Sequence, residues 1–163
     1  MLALEKSTNL ILGSSFVSRF QKDNNPKFNL PQNVGVYGLR SNLISGNFNY
    51  YLEYVHKYND PAGSIADNSN NYATGNAIKT SLTYFQKGLG FSFDAHRVDN
   101  MEFRSERQQS KEYIINYIPT LSKQHSYTLL AFYPCATQSN GEIGFQSDLY
   151  YKFDRGTVFG GKY

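Results

Sequence analysis

The chain has 163 residues, of which 16 % are aromatic (14 Tyr, 12 Phe, no Trp), and its net charge of +3 is spread along its length. That is enough chain for one domain with a sizeable core. It carries no basic patch suited to nucleic acid, and a lone cysteine, Cys135, excludes an internal disulfide framework and has no metal-ligand spacing.

The opening MLALEKSTNL holds only a short apolar patch before Lys6, far less than the ~7–15 residues of a secretory h-region. No run approaches the ~18 apolar residues of a transmembrane helix. A mean hydropathy of -0.53 still suits a transmembrane β-barrel, which is apolar only at every second residue.

Alternation dominates the rest of the chain. It predicts strands at 9–21, 34–44, 48–58, 78–86, 89–98, 112–119, 126–133, 143–153 and 157–163, about nine in all. One stretch, Met101–Tyr113, is rich in helix formers but lacks an apolar stripe, and it could hold at most a short helix. Pro119 and Pro134 fall at strand ends, where a missing N–H removes no ladder bond.

The expected connections are 22–33, 45–47, 59–77, 87–88, 99–111, 120–125, 134–142 and 154–156. Long and short ones alternate. The short ones carry the tight-turn residues SGN, KG and DRG, while the long ones are polar. An antiparallel up-and-down meander with this pattern has every long loop at one end and every tight turn at the other, as outer-membrane barrels do.

Parity sorts the side chains into two faces. One holds Phe16, Phe20, Tyr37, Phe48, Tyr50, Tyr54, Tyr58, Tyr84, Phe91, Phe93, Tyr113, Tyr117, Tyr127, Tyr133, Phe145, Tyr151, Phe153, Phe159 and Tyr163. The other receives Tyr51, Phe85, Phe132 and Tyr150. The charges were not used to set parity, and they test it. Arg19, Arg40, Glu53, Lys57, Lys79, Asp94, Glu112, Asp148, Lys152 and Lys162 all fall opposite the aromatic face, and Arg97 alone breaks the rule from a strand end.

A soluble β-sandwich also alternates, so three further features matter. The apolar face is dominated by Tyr and Phe rather than aliphatics, which suits a membrane interface where the phenol stays wet. Eleven residues at ~3.3 Å, tilted ~45°, rise about 26 Å and match the ~25 Å apolar band of a barrel. Sandwich loops, finally, do not usually segregate by length. The lumen-facing polar candidates are then Arg40, Glu53, Lys57, Lys79, Asp94, His96, Asp148 and Lys152. The lipid-interface candidates are Tyr50, Tyr54, Tyr58, Tyr84, Phe91, Phe93, Tyr117, Tyr127, Tyr151 and Phe153.

The stretches YLEYVHKYNDP, YFQKGLGFSFDAHRVDNMEFRSER, INYIPTLSKQHSYTLLAFYPCATQSNGEIGFQSDLYYKF and GGKY resemble a family of uncharacterised outer-membrane β-barrel proteins from Bacteroidota. The likeness covers most of the chain from Asn49 onward. It implies a Gram-negative outer membrane as location, with membrane lipid and the barrel-assembly machinery as partners, and it brings no activity or catalytic motif. An odd strand number and the absence of a signal peptide depart from a complete barrel. The expectation is one open segment spanning 1–163, cut at both ends, from a parent that acts as a channel, transporter or surface receptor. A complete small structural or adhesive barrel, its terminal Tyr163 read by the assembly machinery, is an alternative. A secreted sandwich that stacks sugars on its aromatics is another.

Enzymatic chemistry is not expected, and neither is a cofactor. Ser92, Asp94 and His96 share a face, but residues two apart on a strand sit ~7 Å apart, beyond the ~2.6–3.2 Å that a nucleophile and base need. His56 and His125 are isolated. Asp67–Asn71 echoes a calcium loop but has Tyr72 where that loop needs Gly. Gly88, Gly90 and Gly160–Gly161 read as turn or close-packing glycines, since no helix follows them to form a phosphate cradle.

Overall fold

The structure is a computed structural model, and it describes residues 7–22, 32–60, 73–101 and 141–154. These form one antiparallel sheet of six strands: β1 (Thr8–Phe20), β2 (Asn33–Ser45), β3 (Phe48–Asp60), β4 (Ala73–Gln86), β5 (Leu89–Asp99) and β6 (Glu142–Tyr151). Spatial order follows chain order from β1 to β6, so the sheet is an up-and-down meander. Strand contacts run only between sheet neighbours, and β1 does not meet β6. Among the described residues the sheet is therefore open, with an edge at each side.

Two hairpins close with two-residue turns. Gly46 takes φ 59° at the first central position of the Ser45–Phe48 turn, and Gly88 takes φ 81° at the second position of the Gln86–Leu89 turn. Both values lie where a side chain is disfavoured, which is why these turns carry glycine. Each turn is also tied to the next strand, by Phe85 N–H to the Asn47 carbonyl (3.1 Å) and by Lys152 N–H to the Gly88 carbonyl (2.8 Å). At the opposite end, β1–β2, β3–β4 and β5–β6 are joined through residues 21–32, 61–72 and 100–141. The segregation of long connections from tight turns expected from the sequence is present in this sheet.

The strand count and order differ from expectation. Six strands are described rather than nine. The expected strands at 112–119, 126–133 and 157–163 lie outside the described residues, as do Pro119, Pro134 and the 120–125 connection. The neighbour of β5 beyond β4 is β6, paired in register from Leu89↔Tyr151 to Val98↔Glu142. A strand has only two hydrogen-bonding edges, and both edges of β5 are taken. Among the described residues the strand beside β5 on that edge is thus Glu142–Tyr151. Met101 is buried and non-helical; the rest of the Met101–Tyr113 stretch, which could hold at most a short helix, lies outside the described residues.

Register places each residue on a face, because directly opposed residues project to the same side. The row Leu12, Ser41, Leu52, Thr80, Ala95, Phe145 crosses the middle of one face. Toward the tight turns on that face lie Phe48, Tyr84, Phe91 and Leu149 in one row, with Tyr50 and Phe93 between. Toward the long connections lie Phe16, Tyr37 and His56, with Tyr54 and Tyr58 on either side. This face thus carries aromatic rows toward both ends, with Leu12, Leu52 and Ala95 alternating with Ser41, Thr80 and Phe145 across the middle. Phe48 and Tyr58 are separated by about 33 Å of strand, or about 25 Å of height at a tilt of ~40°.

Burial is inverted relative to a soluble domain. On the aromatic–aliphatic face Leu12 is 72 % exposed and Phe145 76 %. The buried hydrophobics among the described residues are Val34, Val98 and Met101, all at the long-connection end, while Lys57 and His96 on the polar face are buried. A second sheet covering the apolar face would reverse that pattern.

At the long-connection end the polar face closes over its own charges. Lys57 Nζ donates to Asp60 Oδ2 (3.3 Å), and Arg19 Nη2 lies 3.9 Å from Asp60 Oδ1. The β3–β4 register slips between Lys57 and Asp60, and Asn59 takes φ 60°. That bulge turns Asp60 toward both cations. Gly75 opposes Lys57; a Cβ there would collide with the Asn100 carbonyl oxygen. Asn100, at φ 49°, fixes this crossing by donating from Nδ2 to the Thr74 carbonyl (3.0 Å).

Candidate functional site

The polar face is the only surface on which the described residues gather charged and hydrogen-bonding side chains in rows. Its central row runs Gly13, Arg40, Glu53, Lys79, His96, Gly144 across all six strands. Charges alternate along it, so each opposed pair from Arg40 to Lys79 is of unlike sign and favourable. Tyr51 donates from its hydroxyl to Glu53 Oε2 (2.7 Å), which holds the carboxylate toward the tight-turn side. Arg40 instead reaches over Gly13: a Cβ on Gly13 would lie 2.5 Å from Arg40 Nε. The glycine in β1 is what lets this guanidinium lie against the sheet.

His96 Nε2 meets Glu142 Oε1 at 2.8 Å, a link from β5 to β6. One strand step nearer the tight turns, Asp94 opposes Ser81 and Gln146. In the row after that, Ser92 Oγ donates to Asp148 Oδ2 (3.4 Å), and Gln146 Nε2 donates to the same oxygen (3.0 Å). The last row holds Phe85, Gly90 and Tyr150.

Of the expected polar set, Arg40, Glu53, Lys57, Lys79, Asp94, His96 and Asp148 lie on one face of one sheet, and Lys152 follows the end of β6. Of the expected aromatic set, Tyr50, Tyr54, Tyr58, Tyr84, Phe91, Phe93 and Tyr151 share the other face, with Phe153 against Tyr151 at a centroid distance of 4.8 Å. Tyr117 and Tyr127 lie outside the described residues, as do Glu112, His125, Cys135, Lys162, Asp67–Asn71 and Gly160–Gly161. Arg97 is on the aromatic face, exposed, opposite Ile78 and Ile143. His56 is there too, between Tyr37 (centroids 5.3 Å) and the Tyr54 hydroxyl (3.4 Å from Nδ1).

The Ser92–Asp94–His96 row is not a triad. Ser92 and His96 engage different acids, Asp148 and Glu142, at positions ~13 Å apart along the strand. Sequence reasoning missed Glu142, Gln146 and Asp60. Glu142 opens β6 and Asp60 sits in the bulge that ends β3, where parity is hardest to extend, while Gln146 lies mid-strand as an uncharged residue among charged ones. The one usable signal was that Glu142 and Gln146 share parity with Asp148. Among the described residues no group of His, Cys, Asp and Glu could hold a metal ion, and no helix is long and apolar enough to cross a membrane.

The architecture defines an all-β meander with one charged face and one aromatic–aliphatic face. Over residues 1–163 the chain matches a family of unknown function, DUF6029, and it belongs to that family. No curated protein and no solved structure matches it.

Proposed function

We propose that this sheet is a segment of an outer-membrane β-barrel of a Gram-negative bacterium, with the aromatic–aliphatic face against lipid and the charged face toward the lumen. The carrying observation is the inverted burial: Leu12, Phe145, Ile143 and Leu149 are exposed on one face while Lys57 and His96 are buried on the other. The aromatic rows toward both ends of this face support reading it as a lipid-facing band. The resemblance to Bacteroidota outer-membrane proteins supports the same reading. Tight turns then lie in the periplasm, long connections lie outside the cell, and the barrel-assembly machinery inserts the parent. The parent acts as a channel, transporter or surface receptor rather than an enzyme. Its lumen carries both signs of charge, so charge alone sets no ion preference.

A secreted glycan-binding sandwich is the competing reading, and one experiment separates them. The chain has no native Trp. Leu52 and Glu53 are adjacent and project oppositely, so a Trp at 52 is expected to be quenched by bromine-labelled acyl chains in refolded, bilayer-inserted protein. A Trp at 53 is expected to be spared. Equal quenching at both positions, or none at 52, overturns the membrane reading.

A further inference from the structure

One place on the polar face breaks its own chemistry. At the tight-turn end Phe85 and Tyr150 project from β4 and β6 on either side of Gly90 in β5, and they are 62 % and 54 % exposed. The missing side chain at Gly90 leaves a floor between them. Phe85 leans across it, its Cδ1 and Cε1 at 3.3 Å from where a Cβ on Gly90 would sit, and Tyr150 Cβ stands at 3.6 Å from the same point. The result is an apolar platform beside a wide-open depression that wraps round the strand end, lined from this face by Phe85, Gly90 and Tyr150 and from the other face by Leu89, Leu149 and Tyr151. The adjoining row of the same face supplies Thr83, Ser92 and Asp148.

We propose that this platform is a stacking subsite for a neutral pyranose unit of an oligosaccharide. A pyranose ring has an apolar face of C–H bonds and a rim of hydroxyls. The aromatic pair matches the first, and the hydroxyl and carboxylate row beside it matches the second. Other ligands fit less well. An acyl chain would lie against Asp148 and Ser92 and strip them of water. A nucleotide or polyphosphate would bring its anion to the Asp148 carboxylate, which already gathers Ser92 and Gln146 as donors. The subsite rests on the lumen-facing reading only for its location, at the periplasmic mouth of the pore. Its chemistry belongs to the sheet itself.

The test uses the full chain with Phe85→Trp, refolded in a detergent without sugar headgroups, so that a single indole reports the platform. Maltohexaose and cellohexaose are the probes, with tripolyphosphate as the anionic comparison. A saturable fluorescence change is expected with at least one hexasaccharide and none with tripolyphosphate. Adding Tyr150→Ala is expected to weaken binding about tenfold, the scale of one lost stacking contact, and Phe145→Ala on the opposite face is expected to leave it unchanged. A β-sheet circular-dichroism spectrum that is lost in one cooperative urea transition establishes that each variant is folded; if Tyr150→Ala fails that check, Tyr150→Leu, which keeps bulk without the ring, takes its place. No saturable response to either sugar, an equal response to tripolyphosphate, or indifference to loss of the Tyr150 ring overturns the subsite. Quenching at position 52 without a sugar response overturns the subsite alone. A sugar response without quenching at 52 overturns the membrane reading alone.

Discussion

Tyr58 lies over Gly35 across the β2–β3 pair, so close that a Cβ on Gly35 would collide with the Tyr58 ring at Cζ. An aromatic ring laid over a strand glycine restores the cross-strand contact that glycine lacks. Gly35→Val is therefore expected to cost about 1–3 kcal/mol, since the ring must swing away. Urea unfolding of refolded protein measures it. In a Tyr58→Ala background the same substitution is expected to cost clearly less, and equal costs in both backgrounds would show that the two residues do not interact.

Leu52 sits in the middle row of the aromatic–aliphatic face, with Ser41 and Thr80 opposite. In the proposed bilayer geometry Leu52→Arg is expected to cost about 2–4 kcal/mol, the scale for an Arg near the midplane of a barrel. Glu53→Gln keeps the shape on the polar side and is expected to cost less than about 1 kcal/mol. Glu53→Arg is expected to be worse than Glu53→Gln, because it would set three cations in a row with Arg40 and Lys79. Finding Glu53→Arg as mild as Glu53→Gln would show that the row is not electrostatically coupled.

The His96–Glu142 contact joins two strands separated by the whole of residues 100–141. Glu142→Ala leaves a buried ring nitrogen without this partner and is expected to destabilise by about 1–3 kcal/mol. Faster amide exchange confined to β6 and the facing half of β5 is the accompanying signature. Exchange that rises uniformly across all six strands would mean that β6 is not an independent edge unit.

In the proposed barrel, sidedness follows from the antiparallel order. After Cys135→Ser removes the native thiol, Ser69→Cys and Ser110→Cys in the full-length parent are expected to react with an impermeant reagent on intact cells. Asn47→Cys and Lys87→Cys, in the tight turns, are expected to stay unlabelled until the outer membrane is opened. Labelling of the turns but not the connections would invert the topology.

The sequence by itself determined the faces. A strand sends successive side chains to opposite sides, so Leu52 and Glu53, or Phe93 and Asp94, could be assigned without knowing any neighbour. It also determined the two tight turns, because Gly46 and Gly88 mark backbone conformations that other residues resist. What it could not determine was who pairs with whom. Alternation has the same period whichever edge a strand meets, so only the folded sheet shows that 142–151 lies beside β5. The buried Arg19–Asp60–Lys57 cluster and the platform at Gly90 were likewise invisible. Each joins residues from different strands through a bulge, a missing side chain or a register that the linear pattern does not encode. Periodicity along one strand fixes direction; the hydrogen-bonded edge, shared between two strands, fixes neighbours, and that is a property of the folded sheet.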